Sequence, residues 1–135
     1  MKKIGLRALG LLVVLVVGVL GLQMVASETG EVVVVTIQDK AGVKAETRLW
    51  IVEHQGSRWL RSSGGGASGW YQQLLANPEF ELLRGTTRYY LRATPVLEMQ
   101  TTVNDLMNEK YGWADSYIGL LFGREDSIAI RLEEL

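Results

Sequence analysis

The stretch that decides the fold is Trp59-Leu60-Arg61-Ser62-Ser63-Gly64-Gly65-Gly66-Ala67-Ser68-Gly69-Trp70-Tyr71-Gln72-Gln73-Leu74-Leu75-Ala76-Asn77-Pro78-Glu79-Phe80-Glu81-Leu82. Residues 57–63 have the composition of a strand, and residues 62–69 form a glycine-serine loop. Residues 70–76 read as a short helix, which Asn77-Pro78 ends because proline cannot continue it. The loop satisfies the dinucleotide fingerprint G-x-G-x-x-G and stands between a strand and a helix. The helix is nevertheless too short for a crossover between parallel strands, and hairpins flank the motif on both sides. A Rossmann site is rejected. Glycines still let a ligand approach the backbone, and free N–H groups at a helix start favour an anion. Ser62, Ser63 and Ser68 add hydroxyl groups. A flexible connection with no ligand is the competing reading.

Working outward, residues 32–37 are a β-branched run of strand type, followed by a charged loop over residues 38–46. Residues 47–54 and 57–63 are strand-like and separated by Gln55-Gly56, a tight hairpin turn. Downstream, residues 79–83 alternate, Arg84-Gly85 turns, and residues 87–94 return with Tyr89, Leu91 and Ala93 on one face. Met99, Val103, Leu106, Met107 and Tyr111 recur at helical spacing, with Gly112 as the stop. Residues 113–122 suggest one more short helix, and Ile128, Ile130 and Leu132 alternate along a closing strand. About six short strands joined mostly by hairpins predict a mainly β or α+β domain, an antiparallel barrel or rolled sheet.

The N-terminus is different in kind. From position 4 to position 26 only Arg7 and Gln23 interrupt an apolar run, which as a helix measures roughly 34 Å, enough to cross a hydrocarbon core of about 30 Å. A cleaved signal sequence is the rival, but Met24 and Ala26 make a poor cleavage site. Residues 1–26 are therefore expected to be a membrane anchor and residues 27–135 one domain, with 27–31 a polar linker. Lys2, Lys3 and Arg7 gather at the N-terminal end of the run and favour a cytoplasmic N-terminus, which places the domain in the periplasm or outside.

Composition excludes several functions. Of 14 basic residues those three belong to the anchor, leaving 11 against 15 acids. A domain of about −4 is poorly suited to nucleic acid, which demands excess Lys and Arg. With no cysteine and a single histidine, His54, the chain has no disulfide, thiolate metal site or two-histidine site. No metal is expected, and redox chemistry would need a bound organic cofactor. His54 reads as a surface strand residue. The acid pairs Glu79/Glu81, Glu125/Asp126 and Glu133/Glu134 read as solvated faces, and Arg84, Arg88 and Arg92 as a charged exposed edge.

The quoted stretch resembles the deazaflavin-dependent nitroreductase family, in which a strand ends in Ser and Gly-Gly, followed by Trp-Tyr, a short helix and Leu-x-Ala-Asn-Pro. The resemblance extends from about Thr36 to the C-terminus and is clearest over residues 62–78. It implies a split β-barrel related to the flavin mononucleotide-binding oxidoreductases. It also implies a reduced 5-deazaflavin or flavin mononucleotide as cofactor, and hydride transfer to a small-molecule acceptor of quinone-like or nitroaromatic type. In the family a loop of pattern G-R-K-S-G-K-P-R-x-T-P-L holds the phosphate end. In the corresponding residues 38–49, Lys40, Gly42, Thr47 and Leu49 match. Asp39, Ala41 and Ala45 stand in place of Arg, Ser and Arg, so a bidentate guanidinium clamp is missing, for which Lys44 and Arg48 are candidate replacements.

By the same resemblance Ser62, Ser63, Gly64 and Gly65 line the phosphate or ring side, and Trp70 packs near the ring. Tyr111 and Tyr117 are substrate-side candidates, although helical spacing favours a plain core role for Tyr111. No catalytic residue is assigned. The alternative is a non-catalytic split-barrel module that binds a hydrophobic ligand or a membrane partner. An oligomer is compatible with either.

Overall fold

The computed structural model describes residues 2–27 and 30–135; residues 28 and 29 of the expected linker lie outside it. Helix α1 (Lys2–Ser27) precedes seven strands: β1 (Val32–Gln38), β2 (Lys44–Trp50), β3 (Val52–His54), β4 (Ser57–Ser62), β5 (Glu79–Arg84), β6 (Thr87–Pro95) and β7 (Ile128–Glu134). Helix α2 (Gly69–Ala76) lies between β4 and β5, and α3 (Gln100–Tyr111) and α4 (Trp113–Phe122) lie between β6 and β7. All pairings are antiparallel, in the order β2-β1-β5-β6-β7-β4-β3.

The two edge strands of this sheet, β2 and β3, are consecutive in the chain and separated by one residue, Ile51. A flat sheet cannot have its opposite edges joined by a single residue, so the sheet must curl. The expected unbroken strand over residues 47–54 is thus two strands on opposite sides of a split. Ile51 belongs to neither ladder, and its peptide groups need other partners. The Tyr111 hydroxyl accepts from the Ile51 N–H at 3.0 Å and lies 2.6 Å from the Glu31 carbonyl. The Ile51 carbonyl accepts from Lys110 Nζ at 2.8 Å. The Trp50 and Tyr111 rings stack with centroids 4.3 Å apart. Tyr111 therefore closes the split, and burial pushes its hydroxyl up to about 12. Glu31 completes the closure: hydrogen bonds from Arg84 and then Lys110 hold its carboxyl down at about 2.

Alternation sorts the side chains into two layers. Val33, Val35, Leu60, Leu82, Leu91 and Ile130 fill the barrel, and α2 caps it with Tyr71 and Leu74. On the other face of β3, β4 and β7, Val52, Trp59 and Ala129 receive Val103 and Met107 of α3. The spacing of Val103, Met107 and Tyr111 therefore marks a buried helix face, as expected. Strand β6 is interior to the sheet, which corrects the reading of its arginines as an edge. Arg92 pairs with Glu79 and Arg88 with Glu81 across the outer face.

Candidate functional site

Of the residues singled out in the sequence, Lys40 lines one cleft, Ser63 a second and Lys44 a third, while Gly42, Thr47, Ser62, Gly64, Gly65 and Trp70 line none of these. The first, of about 520 Å³, lies between the β1–β2 hairpin and the C-terminal part of α2, beside Lys40. Ala45, Val43, Gln73 and Ala76 form its walls. That volume is within the range of about 300–1,000 Å³ typical of small-molecule sites. The second cleft, of about 140 Å³, is bounded by Arg48, Trp50, Arg61, Ser63, Met107 and Ile118. It is too small for a tricyclic ring. Strand β2 passes from one to the other: Ala45 lines the first and Leu49 the second, about 13 Å apart in an extended chain.

The hairpin shows why the expected phosphate loop is altered. The Asp39 carboxylate accepts hydrogen bonds from the N–H groups of Ala41 and Val43, both at 2.9 Å, while Gly42 takes φ +83°. This is an Asx-type turn, and it spends on an internal carboxylate the backbone donors that an anion would otherwise meet. Lys40 stands in the turn and Lys44 begins β2, both exposed. Thr47 pairs with Val35 in the ladder, half-buried. The first cleft thus fits a flat ring by volume, with one ammonium group, Lys40, on its lining and no guanidinium fork at positions 39 or 45; Lys44 lines a neighbouring cleft instead.

The glycine loop is divided in its roles. Ser62 is fully buried and donates its hydroxyl to the Gly65 carbonyl at 2.8 Å. Gly65 has φ +63°, and a Cβ there would lie 2.3 Å from the Asp126 carbonyl oxygen. Both are therefore locked into the fold. Gly64 and Gly66 are exposed, and nothing lies within 4 Å of a Cβ built on Gly66. Ser63 is half-buried and reaches the second cleft. Trp70 is half-buried against the barrel core, edge-on to Tyr71. Tyr117 donates to the Val19 carbonyl of α1 at 3.0 Å.

One arrangement escaped the sequence reading. Arg61 Nη2 donates to Asp115 Oδ1 at 2.7 Å, with both side chains almost wholly buried. Arg124 donates to the same carboxylate oxygen and to the Asp115 carbonyl, and Asn108 to Oδ2. Arg61 Nη1 also reaches Asn104 at 3.3 Å. Burial lowers the Arg61 pKa and Asp115 opposes that shift; a guanidinium remains charged regardless. The network ties β4, α3 and α4 into one floor beneath the second cleft. Two signals could have revealed it. Arg61 shares its strand face with Trp59, which faces α3, and Asp115 is the sole charge in the otherwise neutral α4.

A curled antiparallel sheet joined across its gap by one residue and capped by a short helix defines a split β-barrel. The comparisons agree. The chain is similar to an F420-H2 dependent reductase, FDR-A, with a TM-score of 0.59 and 24% identity, over 76% of this chain and 93% of that one. A conserved hypothetical protein from Mycobacterium tuberculosis gives a TM-score of 0.60 at 16% identity, over 78% and 74%. HutZ, the heme storage protein from Vibrio cholerae, gives 0.59 at 15%, over 82% and 85%. No protein-family model matches the sequence, and no curated protein matches it significantly. At these identities the likeness is one of fold.

Proposed function

We propose that the chain is a membrane-tethered oxidoreductase in which a reduced deazaflavin or flavin supplies hydride to a quinone-like or nitroaromatic acceptor. The supporting observation is the ring-sized cleft beside Lys40, in a fold shared with an F420-H2 dependent reductase. The ring would lie between the hairpin and α2, with Lys40 on the cleft wall as the cation nearest an anionic tail. In this reading the protein's part is positioning: the cleft walls fix the ring plane, and an acceptor stacked on it gains effective concentration. The loss of the arginine fork argues for weak, exchangeable cofactor binding.

The test is titration of the purified full chain with reduced deazaflavin and with reduced flavin mononucleotide. Saturation is expected in the micromolar range, and no binding of either at tens of micromolar retires the enzymatic reading. Ala45→Arg places a guanidinium on the cleft wall. A charge-assisted contact of about 1.5–3 kcal/mol should tighten binding about 10- to 100-fold. The commitment of Asp39 to its own turn supports a second reading, a non-catalytic module for a hydrophobic ligand. That reading gains if A45R creates cofactor binding the parent lacks.

The tether is proposed on α1, whose span Lys3–Val25 is long and apolar enough to cross a membrane. Charges at its N-terminal end favour a domain in the periplasm or outside. A phosphatase fused after Leu135 should be active only on the outer side; activity confined to the cytoplasm reverses the topology.

A further inference from the structure

The exposed face of α4 carries no charge. In Trp113-Ala114-Asp115-Ser116-Tyr117-Ile118-Gly119-Leu120-Leu121-Phe122 the only ionised group, Asp115, is buried under Arg61 and Arg124. Ala114, Asp115 and Ile118 point into the domain. Trp113, Tyr117, Leu120 and Leu121 follow the i, i+4, i+7, i+8 spacing of one helical face. Along it Trp113 is 53% exposed and Leu120 83%, and Phe122 at the helix end is 59% exposed. A soluble domain seldom leaves such a patch uncovered.

Its neighbour identifies the cover. The Tyr117 hydroxyl bonds the carbonyl of Val19, which lies within the Lys3–Val25 span. Val19 is six residues before the end of that span, roughly 9 Å along a helix axis. Interfacial helices bury their apolar faces about 5–10 Å deep at the headgroup–acyl boundary, and Trp and Tyr concentrate there. The two depths coincide. We infer that α4 is a second membrane contact: it lies in the lipid interface against α1, with Trp113, Leu120, Leu121 and Phe122 inserted, so that the barrel rests on the bilayer instead of swinging from a linker. The inference rests on reading α1 as an anchor.

The absence of cysteine makes the test direct. Single variants Leu120→Cys and Phe122→Cys, with Arg88→Cys on the charged outer face and Val14→Cys in the span, are spin-labelled in the full chain. Each is reconstituted in phosphatidylcholine–phosphatidylglycerol vesicles, and collision rates with oxygen and with a neutral nickel chelate are measured. The oxygen-to-nickel ratio at positions 120 and 122 is expected several-fold above that at 88 and on the side of position 14. Labels at 120 and 122 as water-accessible as at 88, with 14 in lipid, overturn the inference and leave the anchor standing. A water-accessible label at 14 removes both. Spin–spin broadening at 120 that unlabelled protein relieves assigns the face to a second copy of the chain and also overturns it.

Discussion

Replacing Asp115 by alanine is expected to destabilise the domain by about 3–5 kcal/mol, because it strands one fully buried guanidinium and a second partly buried one. For a domain of this size that is a fall in Tm of about 15–30 °C, measurable by thermal unfolding of the full chain in detergent. The penalty arises from an uncompensated charge, not from loss of an intrinsically favourable pair. The double variant Arg61→Met with Asp115→Leu should therefore recover most of it, since apolar groups of similar bulk often replace a buried ion pair at no cost. Arg124, one-fifth exposed, can turn to solvent. A double variant as unstable as the single one would show that the network stabilises through its hydrogen bonds to α3 instead.

Gly65→Ala is the other large effect expected. The residue combines φ +63° with the 2.3 Å approach that a Cβ would make to the Asp126 carbonyl oxygen. Left-handed strain and a clash with backbone, which cannot rotate away, together should cost at least about 3 kcal/mol. Gly66→Ala, one position later, meets nothing within 4 Å and has no left-handed φ; it should change stability by less than about 0.5 kcal/mol. Denaturant titrations of the two variants side by side make the comparison. Equal effects would mean that the loop does not pack on Asp126. Because Ser62 bonds the Gly65 carbonyl, loosening this contact should also displace Ser63 at the second cleft.

The elements that announced themselves in the sequence were those with strong local period or hard punctuation. Asn77-Pro78 ended α2, Gly112 ended α3, and the alternation of Ile128, Ile130 and Leu132 marked β7, all as found. The break at Ile51 was invisible, because Trp50, Ile51 and Val52 all suit a strand and only tertiary pairing decides that they belong to opposite edges. Of the candidate site residues the sequence pointed to Lys40 and Ser63, which line clefts, but not to the clefts themselves. Ser62 and Gly65 look like ligand-facing residues in any pattern; only their packing on each other and on Asp126 shows their structural employment. Asp39 likewise reads as a missing arginine until its hydrogen bonds to Ala41 and Val43 show the use it was put to.

The place of β7 in the sheet constrains how the chain can be made. It follows every other strand in sequence, yet it sits between β6 and β4, with Arg58 opposite Leu132 on one side and Ala93 opposite Leu132 on the other. Until the ribosome has released residues 128–134, the β3–β4 hairpin has no partner to join, and β6 keeps an open edge that other chains can pair with. Closure of this barrel thus waits for residues 128–134. A half-built sheet with an open edge persists for as long as they are missing.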